Sequence, residues 1–170
     1  MAFPDASKYE FGDQGSILVA VDDEAPTDFV RYSRDAGKTW EKYNFGVKIR
    51  ALLLTTIPDS TSQKFLLLGS MTRKEAGNQD RHAVVFLDFA TLQSRQCGEG
   101  DFEKWYARPE GRQCLMGHKQ WYQRRKPDAQ CYVGNKFTDP VGQEEDCPCE
   151  DIDFEWSVQT ASRFFAGSVC

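Results

Sequence analysis

Cysteine is absent from residues 1–96, although the 170-residue chain has six of them. The first part must therefore be held by buried strands, because it has no thiols to cross-link. Long hydrophobic runs are missing too. The hydrophobic strings, such as "ALLL" and "FLLLG", have strand length and fall far short of the ~20 apolar residues of a membrane-spanning helix. Basic excess is lacking: 21 Lys and Arg stand against 26 Asp and Glu, a net charge of −5. That balance offers no electrostatic footprint for nucleic acid. Histidine is scarce, with only His82 and His118. Neither is placed to complete a zinc set with Cys147-Pro148-Cys149, so the cysteines read as disulfides, with no metal and no cofactor implied.

The N-terminus "MAFPDASKYE" has neither the basic start nor the apolar core of a signal peptide, and no N-x-S/T site occurs. All six cysteines (Cys97, Cys114, Cys131, Cys147, Cys149 and Cys170) fall after residue 96. Disulfides imply an oxidising compartment, so the chain reads as a fragment or truncated product of a longer secretory protein. Seven carboxylates, from Glu144 to Glu155, crowd one stretch, and the one tight basic run is Arg124-Arg125-Lys126. Both read as solvated loop surface.

Residues 1–96 read as a β-meander. "SILVAV" (16–21), "FVRYS" (29–33), "TWEKY" (39–43), "KIRALLLTT" (48–56), "KFLLLGSM" (64–71) and "HAVVFLDFA" (82–90) are β-rich runs separated by turn-forming clusters. Their spacing suits a sandwich, a barrel or propeller blades. "ALLLT" and "FLLLG" lack alternation, which predicts cover on both faces. Six strands cannot close a propeller, so either further blades exist or this part is poorly stable alone. Beyond residue 96 the regular pattern dissolves into Gly, Pro and charge. "MGHKQWYQRRK" suits a short helix or a strand.

Between two of the strands stands Ser33-x-Asp35-x-Gly37-x-Thr39-Trp40. Asp and Ser side chains accept from nearby backbone N–H groups and fix the turn. Gly37 supplies a positive φ, Thr39 restarts the strand, and Trp40 can bury its ring under the hairpin. A catalytic Asp35 would need a titratable partner and a pocket, and none is evident beside it. The motif resembles the Asp-box, or bacterial neuraminidase repeat, of β-propellers. That repeat occurs in sialidases and in non-enzymatic sorting receptors, so by itself it implies an architecture and not an activity.

The cysteine region narrows the choice. "CLMGHKQWYQRRKPDAQCYVGNKF" followed by "CPCEDIDFE" resembles the ten-cysteine module after the ten-bladed propeller of sortilin-type receptors. "YEFGDQGSILVAV", the Asp-box and "VVFLDF" resemble the last blades of that propeller, in the same order. The resemblance runs from Tyr9 to Glu155 and is nearest to the fungal vacuolar protein sorting receptors. It implies an all-β chain. Residues 1–96 would be incomplete propeller blades with the Asp-box, 97–155 the first half of the cysteine module, and 156–170 a divergent tail. It further implies disulfides Cys97–Cys131 and Cys114–Cys147, leaving Cys149 and Cys170 without their usual partners. Its functional implication is a non-enzymatic lumenal receptor domain of the Golgi, endosome and vacuole pathway. The cargo would be protein or peptide, such as soluble hydrolases of the carboxypeptidase Y type. No ligand-binding residue carries over by motif. The competing expectation is a sialidase-like propeller acting on glycans. It would need an arginine cluster and a tyrosine–glutamate pair, and Tyr32, Tyr43, Arg31 and Arg50 are present without a diagnostic spacing.

Overall fold

The computed structural model describes residues 6–74, 76–77, 79–93, 95–134 and 142–148. The chain is all-β and joins a curled, partial-propeller type of sheet to a disulfide-bonded module. By contact it divides into two compact units. One comprises residues 1–101 with 125–137, the other 102–124 with 138–170. This division differs from the onset of cysteines at residue 97, because Cys97 and Cys131 both fall in the first unit.

The first unit is a six-stranded antiparallel meander: β1 (Ser7–Gly12), β2 (Ile17–Asp22), β3 (Thr27–Ser33), β4 (Glu41–Thr55), β5 (Lys64–Met71) and β6 (His82–Asp88), paired in chain order. "TWEKY" and "KIRALLLTT", expected as separate strands, are one. The start of β4 pairs with β3 (Tyr32 opposite Glu41), and its end pairs with β5 (Thr55 opposite Leu66). The hand-over lies near Gly46, whose φ is +84° and whose N–H is held by Asn44 Oδ1 at 2.7 Å. A positive φ there bends the strand at little cost, so one strand serves two partners.

Curling puts the two halves of the meander around one core. Ile17, Val19, Val30 and Tyr32 from β2 and β3 share a cluster with Ile49, Phe65, Leu67, Leu87 and Phe89. Alternation along β5 is strict: Phe65 and Leu67 are buried while Leu66 is exposed. Here the expectation of cover on both faces fails. Leu53, Leu66, Val84 and Phe86 remain open to solvent among the described residues. Among the described residues these runs thus have one face in the core and one apolar face uncovered, because the pleat sends neighbours to opposite sides whatever their hydrophobicity.

The second unit holds a small antiparallel sheet where sequence periodicity shows nothing regular. Its strands are β7 (Phe102–Tyr106), β8 (Cys114–Leu115), β9 (His118–Arg125) and β10 (Gln143–Asp146), with β9 central. "MGHKQWYQRRK" is therefore a strand. Three of the acidic residues, Glu144, Glu145 and Asp146, lie on β10 and not in a loop. Glu145 reaches Lys104 at 2.7 Å, and Lys104 lies 4.2 Å above the Trp121 ring. Cation–aromatic contact and ion pairing substitute here for a thick apolar core.

Candidate functional site

The Asp-box closes the β3–β4 hairpin, and its polar groups are directed inward on the turn. Ser33 donates its hydroxyl to Asp35 Oδ1 at 2.8 Å and accepts the Gly37 N–H at 2.9 Å. Asp35 accepts the Thr39 N–H at 2.9 Å and the Thr39 hydroxyl at 2.6 Å. Gly37 has φ +82°, and its carbonyl takes the indole N–H of Trp40 at 3.1 Å. Trp40 is half-buried on the turn and outside the core cluster, a correction to its expected place beneath the hairpin. Its ring packs on the glycine, where a Cβ would lie 3.9 Å from Trp40 Cζ2.

Burial pushes the Asp35 carboxyl up, but hydrogen bonds from Thr39, Ser33 and the Lys38 N–H outweigh it and hold it down at about 2. A carboxyl held that low is a poor proton carrier near neutrality. A folded-state value below the unfolded ~3.9 means its stabilisation is complete above about pH 4. It fades as pH falls from about 4 to 2. Asp35→Asn is expected to cost about 1 kcal/mol at pH 6. The gap to the parent should narrow steadily toward pH 2. Urea titrations of both proteins across that range check it, and a constant gap would refute the assignment.

Next to the turn lies a second cluster that sequence reasoning missed. Asp13 is fully buried. It accepts the N–H groups of Val133 at 2.8 Å and Gly134 at 2.6 Å, and the hydroxyl of Ser16. Its own N–H donates to the Ser62 carbonyl at 2.9 Å. Arg125 approaches from the other side. Its guanidinium donates to the carbonyls of Ser16 (2.9 Å), Arg34 and Ala129. Burial pulls its pKa down, and the charges of Asp13 and Asp35 oppose that pull. The run Arg124-Arg125-Lys126 is therefore no uniformly solvated surface: its middle member is half-buried and bound to backbone. Cys97 joins Cys131 within the same segment, at a Cα separation of 5.0 Å. The Cys97 N–H donates to the Tyr132 carbonyl at 2.9 Å. Segment 125–134 is thus held by a disulfide, a buried carboxylate and a guanidinium against the turns at 13–16 and 34.

Cys114 bonds to Cys147 within the second unit, which removes Cys147 from any zinc site. Cys97, Asp101 and Cys131 lie close enough together to suggest ligands, but both sulfurs are committed to the disulfide. Cys149 and Cys170 lie outside the described residues.

Of the residues weighed for glycan chemistry, Tyr32 meets a carboxylate and an arginine that were not among them. Tyr32 donates to Glu41 at 2.9 Å, and Arg34 pairs with the same carboxylate at 2.8 Å. Tyr32, however, is only 8 % exposed, and burial followed by the Glu41 hydrogen bond pushes its phenol pKa up. A nucleophilic tyrosine needs access and an easily lost proton. Arg31 instead lies over the Phe29 ring.

A structural Asp-box in a curled antiparallel sheet, followed by two disulfides that interlock in sequence, defines a propeller-type, disulfide-bonded module. The chain belongs to the sortilin family. The family sequence model described as "Sortilin, neurotensin receptor 3, C-terminal" matches residues 56–163, and its Sortilin-Vps10 companion matches residues 1–54. The two matches meet at the end of β4, within one continuous sheet. Similar relatives are named "Vacuolar protein sorting/targeting protein 10". That of Mycosarcoma maydis is 62% identical over 157 residues, covering 91% of this chain and 10% of the relative. That of Laccaria bicolor is 62% identical over 152 residues, with coverage of 89% and 10%. That of Coccidioides posadasii is 51% identical over 157 residues, with coverage of 91% and 10%. The chain spans about a tenth of the length of these curated relatives. This is a vacuolar sorting-receptor family and not an enzyme family. Among the described residues, no helix is long and apolar enough to cross a membrane.

Proposed function

We propose that this chain is a segment of the lumenal domain of a sorting receptor. The receptor carries soluble hydrolases, of the carboxypeptidase Y type, from the late Golgi to the endosome and vacuole. In this reading residues 1–96 are terminal propeller blades, 97–155 the first half of the cysteine module, and 156–170 a divergent tail. The family match across residues 56–163 carries the reading. Support also comes from the Asp-box, whose serine, aspartate and threonine hold one another and their own turn. Its role in this reading is to brace the propeller where the cysteine segment docks, while protein cargo is bound by the assembled receptor.

A graft tests it. Residues 9–155 replace the matching segment of a fungal vacuolar sorting receptor, and retention of carboxypeptidase Y is followed in cells. Intracellular retention is the expected result. Secretion of the hydrolase by cells whose chimeric receptor reaches the Golgi in normal amount would overturn the proposal.

A further inference from the structure

Residues 95–101 and 125–134 run together as one clip. The Cys97 N–H donates to the Tyr132 carbonyl at 2.9 Å and the Tyr132 N–H to the Arg95 carbonyl at 3.0 Å, a parallel bridge beside the Cys97–Cys131 disulfide. Two anchors lay this clip on the meander. Val133 and Gly134 give their N–H groups to the buried Asp13 carboxylate, and Arg125 joins the Ala129 carbonyl to those of Ser16 and Arg34. Cys131 thus lies between two anchored positions, Ala129 and Val133, and it is 0 % exposed. All these residues belong to one compact unit of the chain.

The turn that receives the clip has an unusual backbone. Asp13, Gln14 and Gly15 are left-handed in succession, with φ of 49°, 54° and 82°. Residues with a Cβ disfavour that region, so a free turn of this sequence would leave it. Here the Ser62 carbonyl holds the Asp13 N–H at 2.9 Å, and the Ser60 carbonyl holds the Gln14 N–H at 2.7 Å. The clip holds the Asp13 carboxylate. Clip and turn therefore separate or join as one event.

This burial governs the chemistry of the disulfide. Exchange begins when a thiolate attacks one of the two sulfurs. Attack on the Cys131 sulfur needs an opening that the docked clip denies. Attack on Cys97, which is half-buried, expels Cys131 as a thiolate into a site closed to water. That thiolate would also stand within 4.8 Å of the Asp101 carboxylate, itself paired with Arg95. An anion is costly there.

We propose that Asp13 and Arg125 guard the Cys97–Cys131 disulfide, which exchanges with a dithiol only after the clip lifts off the turns at 13–16 and 34. The first thiolate of the dithiol then forms a mixed disulfide with one cysteine and expels the other, which takes a proton from water. The second thiol loses its proton, displaces the remaining cysteine and closes the dithiol into a ring disulfide. Two electrons pass to the protein. Linkage makes the coupling reciprocal: docking strengthens the bond by the same factor as the bond strengthens docking. In the oxidising direction, Cys97 and Cys131 therefore close stably only over folded turns. The inference rests on buried contacts within this chain and not on the sorting role.

Reduction by dithiothreitol, stopped by alkylation at timed intervals and read by peptide mass spectrometry, tests it on the intact chain. In urea well below the unfolding transition, reduction of Cys97–Cys131 should accelerate in step with amide exchange at Val133 and Gly134. Relative to the unfolded chain, both processes should be slowed by the same factor, to within about threefold. Arg125→Met keeps a long side chain but loses the three carbonyl bonds, and it should speed reduction of Cys97–Cys131 at least about tenfold. Cys114–Cys147, in the other compact unit, should be reduced at an unchanged rate. Reduction that ignores urea while the two amides respond would show direct attack from solvent and overturn the guard. So would an Arg125→Met rate within about twofold of the parent, or equal acceleration of both disulfides. The urea comparison uses the parent chain alone, so it decides the matter even where the variant does not fold.

Discussion

Asp13→Ala is expected to lower stability by about 3–5 kcal/mol, one of the two largest single-residue losses in the chain. The carboxylate is inaccessible to water, and it satisfies the N–H groups of Val133 and Gly134 together with the Ser16 hydroxyl. Alanine leaves the two part-buried N–H groups unpartnered, each costing about 1–3 kcal/mol. It also removes the negative charge that offsets the half-buried Arg125 guanidinium. Asp13→Asn keeps the shape but turns an amide N–H₂ toward one of the donors, so an intermediate loss follows. Urea unfolding gives the magnitude. Amide exchange supplies the specific signature, because protection should vanish first at Val133 and Gly134. An Asp13→Ala protein within about 1 kcal/mol of the parent would show that the segment is held by the Cys97–Cys131 disulfide alone, against the double-anchor account.

Phe89→Ala should cost about 3–5 kcal/mol. Phe89 is 4 % exposed and follows directly on β6. Its ring lies 5.0 Å from Tyr32, 5.8 Å from Phe65 and 6.4 Å from Tyr43. Tyr32 and Tyr43 belong to β3 and the start of β4, whereas Phe65 belongs to β5. Truncation therefore opens a cavity between the two halves of the curled sheet, and neither half can relax into it without unpairing from β4. Tilted and edge-on ring contacts add about 0.5–1.5 kcal/mol each beyond buried area. A fall in Tm of at least about 10 °C is expected, with Phe89→Leu losing less than half as much. Equal losses for Ala and Leu would mean that ring geometry, and not filled volume, holds the halves together.

Much of this was legible in the chain. Strands β2 to β6 are announced by β-branched or aromatic runs with turn residues at their ends, and these signals are local, whereas β1 (Ser7–Gly12) was not read as a strand. The Asp-box was equally readable, because Ser33, Asp35, Gly37 and Thr39 satisfy each other within seven residues. The small sheet of β7 to β10 was not. Its strands are short and polar, with charged and aromatic residues in no regular alternation, and they are held by cross-strand pairs such as Lys104–Glu145, partners 41 residues apart. Nor was the anchor of segment 125–134. Asp13 carries no signal in the sequence and Arg125 reads as one of three solvated cations, while the partners that make them anchors, Val133 for Asp13 and Arg34 for Arg125, lie more than ninety residues away.

By itself, then, the sequence determined the strand-forming segments, the hairpin chemistry of residues 33–40 and the sortilin-type pattern of the cysteine region. These depend on backbone preference and short spacing, which a linear reading contains. Tertiary structure alone decided that Arg125 and Asp13 are buried anchors and that β4 serves two partners. It also decided that only one face of "ALLLT" and "FLLLG" is covered. Burial and hydrogen-bond partnership are set by what the folded chain brings alongside a residue, and no local pattern encodes that neighbour.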